Sequence, residues 1–325
     1  MGKKTTDVSH PKASGISGSS ESLQSSEESV IQPGIHLHEL PNQLDGTLTI
    51  TEANVRSGGF SDVSLGTWTR GQEKMAVAIK RLRKHTPIGG PNPEAVRERF
   101  ERRIRRETSI WQRANHPNIL PFIGYQILDD EPVLVSPWCQ NGCLSQFLRH
   151  HPELTDIQKL QLLKDAARGI AYLHSLQPSI AHGDIKPENI LIRDDLTAAV
   201  TDFGISRVIQ SLDTQTGLTT SSSGQGTPQF QAAELFLEGS RPTIMSDVYA
   251  FGGLILATMS GNPPFYRSRA PAAIMLSIAS NHTPQPADHP QLPERDPLWD
   301  VMRRCWSPDP TQRPSMNEII AEVRN

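Results

Sequence analysis

The sequence predicts an α+β fold with two lobes, a small lobe built on an antiparallel β-sheet and a larger lobe that is mainly α-helical. Two observations favour this class. Short β-rich runs separated by glycine-containing turns dominate the first half of the folded region. The second half carries apolar residues at helical spacing, and no internal repeat is visible.

The amino-terminal residues 1–45 are predicted to form a disordered tail. Serine is abundant in this segment, and it contains no aromatic side chain. Such a segment buries too little apolar surface to offset the entropy lost on ordering. Residues 1–6 fit the pattern for N-myristoylation of Gly2, but a plain flexible tail is the interpretation we favour.

The folded region, residues 46–325, begins with the small lobe, which we place at about residues 46–137. Five runs have the composition of strands, and they cover residues 48–55, 61–69, 75–82, 119–128 and 132–136. One long helix is predicted over residues 93–114, with Pro93 suited to its first turn.

A hinge at about residues 137–142 leads to the large lobe, residues 143–325. Helical patterns cover residues 154–176, 245–260, 271–280, 297–305 and 315–323. Two short strands are expected at residues 190–192 and 198–200. The longest apolar run, residues 251–259, is about half of what a transmembrane helix needs.

Composition indicates an intracellular protein, which we expect in the cytoplasm. The formal net charge is −3, so no overall positive field draws the chain to nucleic acid, and no aromatic stacking platform accompanies its arginine-rich helix. The 3 cysteines are too few for a disulfide framework, which favours a reducing compartment. No secretory leader is apparent.

The segment from His182 to Asn189 carries the most chemical information. Asp184, Lys186 and Asn189 place a carboxylate, an ammonium and a carboxamide in one polar loop between two β-rich runs. Phosphoryl transfer requires groups of this kind, because an acceptor must be oriented, phosphate charge neutralised and a metal held by oxygen ligands. Another carboxylate, Asp202, follows thirteen residues after Asn189.

The order and spacing of these groups resemble the eukaryotic protein kinase domain. The residues that carry the resemblance are Lys80 in Val-Ala-Ile-Lys, Glu107, Asp184, Lys186, Asn189, and Asp202 in Asp-Phe-Gly. The closing segment Cys-Trp-Ser-Pro-Asp-Pro at residues 305–310 resembles the tyrosine-kinase-like group of serine/threonine kinases. The resemblance covers about residues 50–325.

The resemblance implies a bilobal kinase fold, with ATP and Mg²⁺ as cofactors and protein substrates as partners. Lys80 would contact the α- and β-phosphates and pair with Glu107 on the long helix. Asp184 would orient the acceptor hydroxyl and Lys186 would neutralise the transferring phosphate. Asn189 and Asp202 would bind Mg²⁺.

The resemblance also implies which residues contact the nucleotide. The hinge residues Pro137 and Cys139 would face the adenine edge, and a set of residues would enclose the nucleotide: Gly58, Val63, Ala78 and Leu191. Lys186, two residues after Asp184, is the choice of serine/threonine kinases, and Thr227 matches the threonine that supports this site. The acceptor is therefore expected to be serine or threonine, with tyrosine as the less favoured alternative. The sequence assigns no oligomeric state.

Two departures from the family pattern keep a second interpretation open. The three glycines of the phosphate-covering loop align with Arg56, Gly58 and Ser61, so only the middle glycine is present and weaker ATP binding is expected. Gly183 stands where most kinases carry an arginine that binds a phosphorylated activation segment. The alternative is a pseudokinase that acts as a nucleotide-binding scaffold or allosteric partner.

Overall fold

The structure is a computed structural model. The residues that it describes are 43–57, 61–82, 105, 108, 111–129, 131–202, 207–208, 227–268 and 270–323. The tail predicted at residues 1–45 lies outside this set except for residues 43–45. Most of the helix predicted at residues 93–114 also lies outside it, although Arg105 and Thr108 are helical.

An antiparallel sheet of five strands forms the small lobe, as the sequence predicts. Its strands are β1 (Thr47–Ser57), β2 (Ser61–Arg70), β3 (Glu73–Leu82), β4 (Gly124–Leu128) and β5 (Glu131–Pro137). Their spatial order is β1-β2-β3-β5-β4, so β5 pairs with β3 and β4 forms the edge of the sheet.

The fourth strand begins later than predicted, at residue 124 instead of residue 119. Ile119 forms an isolated parallel bridge with Val200, and the Leu120 N–H donates to the carbonyl of Val200 at 2.9 Å. The apolar residues 119 and 120 are therefore buried against the large lobe and do not extend the sheet of the small lobe. Composition alone could not show whether residues 119 and 120 pair with the small sheet or with Val200.

The register gives the small sheet two different faces. Val63 lies opposite Lys80, and Ala78 lies opposite Ser136, so these four side chains share one face. The other face holds an apolar cluster, and its buried members are Leu48, Val77, Ile79, Val133 and Val135. The apolar face fixes the register, because a slip by one residue would turn Lys80 into the core.

The large lobe is mainly helical, as predicted. The helices in its described part are α1 (Leu144–His150), α2 (Asp156–Ser175), α3 (Ile244–Ser260), α4 (Pro271–Ala279), α5 (Leu298–Cys305) and α6 (Met316–Glu322). Capping boxes begin α2 at Thr155, α3 at Thr243 and α6 at Ser315. None of the helices described here is long and apolar enough to cross a membrane.

The sequence did not predict the helix α1, which has only seven residues and directly follows the hinge. Four short strands complete the lobe, and they are β6 (Ile180–Ala181), β7 (Ile190–Ile192), β8 (Ala198–Val200) and β9 (Arg207–Val208). The β7–β8 hairpin has the predicted bounds, and β6 pairs with β9. The loop that holds Asp184 therefore lies between β6 and β7.

A buried ion pair ties the end of the chain to the segment before α3. The Arg313 guanidinium is 1% exposed and donates to both carboxylate oxygens of Glu234, at 2.6 and 3.0 Å. It also donates to the carbonyls of Met245 and Ser307 and lies over the Tyr249 ring. Because these bonds satisfy the charge of Arg313, the pair is structural.

Residues 43–46, which we call the strap, pack across the small sheet ahead of β1. The Leu44 N–H donates to the Tyr125 carbonyl at 2.8 Å, and the Gln126 side chain donates to the Gly46 carbonyl at 2.9 Å. Trp68 Nε1 donates to the Asp45 carbonyl at 2.7 Å. The strap thus connects β2 with the edge strand β4, and residues 43–45 belong to the folded region.

Substitution of Trp68 by Phe tests the contribution of the strap to stability. We expect the variant to lose about 1 kcal/mol of unfolding free energy, because the Asp45 carbonyl loses its donor while the aromatic ring is kept. The measurement is chemical denaturation followed by circular dichroism. Trp138→Phe is the control, because the Trp138 indole bonds only to Gln140, two residues away. Equal losses in the two variants would contradict a special role for the strap.

Candidate functional site

Lys80 and Asp202 form an ion pair in the cleft below the small sheet. Lys80 is in β3 on the face shared with Val63 and Ala78, and its Nζ lies 2.8 Å from Asp202 Oδ1. The Lys80 ammonium is the largest cause that holds the pKa of Asp202 well below its usual range. Asp202 therefore stays ionised at neutral pH, and its side chain is 44% exposed.

Two side chains of the same loop hold the Asp184 carboxylate. Lys186 Nζ donates to Asp184 Oδ2 at 2.7 Å, and Asn189 Nδ2 donates to Oδ2 at 2.9 Å and to the Asp184 carbonyl at 2.8 Å. A 3₁₀ turn, Pro187–Asn189, brings Asn189 back towards Asp184. Asn189 is 2% exposed, and with its amide nitrogen used in this way it keeps Oδ1 as an acceptor.

His182 connects the Asp184 loop to the segment that carries Asp202. The Asp184 N–H donates to His182 Nδ1 at 3.2 Å, so Nε2 carries the ring hydrogen and donates to the Thr201 carbonyl at 2.9 Å. The Thr201 N–H in turn donates to the Asn189 carbonyl at 3.0 Å. These bonds link the Asp184 loop to Thr201, the residue directly before Asp202.

Asp247 anchors the backbone of this loop, although the sequence predicted no role for it. Its carboxylate is 1% exposed and accepts from the backbone N–H groups of His182 at 2.7 Å and Gly183 at 2.8 Å. His174 Nε2 lies 3.0 Å from Asp247 Oδ2. Only α3 and α2, packed together, bring Asp247 and His174 to the loop, so spacing in the sequence could not reveal the contact.

Gly183 adopts a φ of +83°, in the left-handed region. A side chain at this position would be strained, and glycine avoids that strain. The backbone N–H of Gly183 then points to Asp247 Oδ1. The residue that departs from the family pattern is therefore well suited to the backbone conformation that this loop requires.

The predicted hinge begins at the end of β5, and Leu191, which is predicted to face the nucleotide, lies in β7. Pro137 ends β5 opposite Val77, and the Trp138 N–H donates to the Ala76 carbonyl at 3.2 Å. Leu191 in β7 forms a bridge with Cys143. Burial raises the pKa of the Cys139 thiol to about 11, so this thiol is neutral and points to no nucleophilic role.

The structure brings together five of the predicted site residues and places others along the same cleft. Lys80, Asp184, Lys186, Asn189 and Asp202 are joined by the contacts given above. Gly58 and Glu107 lie outside the described residues, so the expected Lys80–Glu107 pair stays a prediction. A cavity beside Asp184 is lined by Thr227, Phe230 and Ser246 among others, which brings the segment after residue 226 next to the loop.

Comparison with known proteins agrees with this arrangement. A family model described as protein tyrosine and serine/threonine kinase matches residues 49–323. The chain is 32% identical to the serine/threonine-protein kinase TNNI3K of Mus musculus over 290 residues, which are 88% of this chain and 32% of that protein.

Two further relatives give similar values. Identity is 31% over 294 residues to the probable serine/threonine-protein kinase gdt2 of Dictyostelium discoideum, with 88% of this chain and 16% of that protein covered. It is 30% over 241 residues to receptor-interacting serine/threonine-protein kinase 3 of Rattus norvegicus, with 71% of this chain and 50% of that protein covered. The chain thus spans half or less of the length of these three relatives.

These relatives are serine/threonine kinases of the tyrosine-kinase-like group, and the recognition made from the motifs is confirmed. The bilobal fold agrees with it as well. The chain belongs to the protein tyrosine and serine/threonine kinase family.

Proposed function

We propose that the chain transfers the γ-phosphate of Mg-ATP to serine and threonine hydroxyls of protein substrates. The observation that carries the proposal is the Asp184 carboxylate, which is held by Lys186 and Asn189. The Asp184 loop is bonded to Thr201, and the next residue, Asp202, pairs with Lys80. An ionised carboxylate beside an ammonium is suited to orient an acceptor hydroxyl and to balance charge on a phosphate.

Each group has a role that its contacts support. Asp184 would accept a hydrogen bond from the acceptor hydroxyl, and Lys186, 2.7 Å away, would stabilise negative charge on the phosphate. Lys80 would bind the phosphates on the nucleotide side, with Glu107 as its expected partner on the long helix. Val63, Ala78, Leu191 and the hinge residues Pro137 and Cys139 would enclose the adenine, and Gly58 would approach the phosphates through its backbone.

The residues present fit a magnesium site. The ionised carboxylate of Asp202 and the Oδ1 atom of Asn189 offer the hard oxygen atoms that Mg²⁺ prefers, and Mg²⁺ commonly uses one or two protein ligands together with phosphate oxygens. When bound, Mg²⁺ would neutralise charge on the phosphates. Asp202 and Asn189 would hold it, and the network through Thr201 would keep these two residues in place.

Several features support serine and threonine as acceptors and a cytoplasmic setting. Lys186 is the serine/threonine-type residue, Thr227 lines the cavity beside Asp184, and the named relatives are serine/threonine kinases. Cys139, Cys143 and Cys305 are all free and buried, which suits a reducing compartment. Substrate identity and oligomeric state are not part of the proposal.

A pseudokinase is the second candidate, and the residues Arg56 and Ser61 at two glycine positions favour it. A scaffold would need no organised carboxylate at the acceptor position. The contacts of Lys186 and Asn189 with Asp184 therefore favour catalysis over a purely structural role.

The direct test is γ-phosphate transfer from Mg-ATP to a generic basic protein and to the chain itself, with phosphoamino-acid analysis. We expect phosphoserine or phosphothreonine, and a loss of at least about a hundredfold in Asp184→Asn, which keeps the size of the side chain but removes its charge. Nucleotide binding by that variant, measured as thermal stabilisation, is the control for folding. Bound nucleotide without transfer to any substrate by the wild-type chain would favour the pseudokinase.

Substitution of Gly183 by Ala tests the backbone that presents Asp184. A left-handed conformation costs a side-chain residue about 1 kcal/mol, so we expect lower stability and at least severalfold lower kcat. Gly261→Ala is the matched control, because Gly261 has a φ of +75° at the end of α3 and nothing near its added methyl group. We expect that control to lose similar stability while kcat is kept. Similar kcat losses in both variants would argue against a special role for Gly183.

Phosphatase treatment tests the consequence of glycine at position 183. Without an arginine there, a phosphate on the activation segment lacks one contact to the Asp184 loop, so activity should depend little on phosphorylation of that segment. We expect dephosphorylated protein, checked by mass spectrometry, to keep most of its initial rate. Loss of activity with an unchanged circular dichroism spectrum would refute this expectation.

A further inference from the structure

His289 lies in the connection between α4 and α5, outside all contacts of the candidate site. Its side chain is completely buried. Nδ1 lies 3.1 Å from Ser260 Oγ at the end of α3. The Ser260 hydroxyl has one hydrogen, and its shortest contact is with the carbonyl of Leu256 at 2.7 Å, so it is free to accept from the His289 ring. We assign the ring hydrogen to Nδ1, because a hydrogen on the buried Nε2 would have no acceptor among the described residues.

The other ring nitrogen, Nε2, is buried and has no hydrogen-bond partner in the described part of the chain. In the Nδ1–H tautomer, Nε2 is a neutral acceptor, and its lack of a partner is tolerable. Protonation would create a buried N–H⁺ with no acceptor, which is far more costly than an unpaired neutral atom. The geometry therefore permits only the neutral ring.

The groups around the ring do not supply a counter-charge to Nε2. The rings of Tyr266 and Trp299 approach His289 edge-on, at centroid distances of 5.2 and 6.3 Å. The nearby charges, Asp288 and Arg267, pair with each other at 2.9 Å. Asp288 raises and Arg267 lowers the pKa of His289, but burial is the largest cause and brings this pKa below its ordinary value of 6.5.

The position of His289 connects this ring to the acceptor side of the large lobe. The ring joins the end of α3, the turn that contains Tyr266 and the start of α5. Along the chain, these contacts lie before and after α4. α4 itself packs on the 3₁₀ turns Pro228–Phe230 and Ala233–Phe236, which follow Thr227. A change in the placement of α4 would therefore act on the segment after Thr227.

We propose that His289 is an acid-sensitive latch that holds the segment 261–292 in place while its ring is neutral. The unfolded chain binds a proton at this histidine more readily than the folded chain does. The latch therefore stabilises the fold fully above pH 6.5, and this stability is lost as the pH falls below 6.5. Acidification opens the α4 region before it affects the buried network around Asp184.

Hydrogen exchange at pH 7.5 and 5.5 tests the latch, with rates corrected for the intrinsic effect of pH. In the wild-type chain we expect the opening constant of residues 261–292 to rise up to about tenfold at pH 5.5, the factor for a histidine that is neutral when folded and has a pKa of 6.5 when open. His289→Phe keeps an aromatic ring but cannot be protonated, so the rise should disappear. His282→Phe, at an exposed histidine, is the matched control and should keep it.

Equal pH dependence in the wild-type chain and His289→Phe would overturn the proposal. Because His289→Phe also loses the bond to Ser260, a second measurement uses the wild-type chain alone. Nitrogen-15 NMR of the imidazole should show the Nδ1–H tautomer and a ring that remains neutral below pH 6.5. An Nε2–H tautomer, or a titration midpoint at or above 6.5, would also overturn the proposal. Neither measurement depends on phosphoryl transfer.

Discussion

The buried carboxylate of Asp247 is the interaction on which the candidate site depends. It accepts two consecutive backbone N–H groups, those of His182 and Gly183, and a bond with His174 adds a third contact. A buried charge is costly unless it is fully paired, and these donors supply that pairing. Because Asp247 accepts these bonds, the backbone of the loop is fixed, and the Asp184 carboxylate contacts Lys186 and Asn189.

The rest of the structure holds this loop in register with the small lobe. Residues 119 and 120 pair with Val200 in β8, and β8 leads directly to Thr201 and Asp202. Lys80 then joins Asp202 from the other lobe through an ion pair. In the described part of the chain, backbone bonds thus connect residues 119 and 120 to β8, and the Lys80–Asp202 ion pair connects β3 to the segment that follows β8.

The large lobe uses buried polar groups in two contrasting ways. Arg313 is surrounded by acceptors, which pair its guanidinium charge. The His289 ring has one hydrogen-bond partner among the described residues, Ser260, and this pairing suits a neutral ring. Both residues are buried at junctions between helices. The charge of Arg313 is paired with Glu234, whereas the contact of His289 with Ser260 depends on the protonation of the ring.

The sequence by itself predicted the longer strands and helices of the described residues, the bilobal α+β class and the identity of the residues around Asp184. These conclusions rest on local properties, because periodicity, turn residues and motif spacing all act over short stretches of chain. The predicted starts of α2 and α3, at residues 154 and 245, lie within two residues of the observed starts at Asp156 and Ile244. The family assignment from these motifs is confirmed by the matching family model.

Only the tertiary structure decided which distant groups meet. Asp247 lies 63 positions after Asp184, and its contact with the loop exists because α3 packs beneath it. Residues 119–120 had the composition of a strand in the small lobe, yet they pair with β8, since burial there satisfies both their side chains and their backbone. The strap and the unpaired Nε2 of His289 were equally invisible, because hydrogen-bond satisfaction is a property of three-dimensional neighbours.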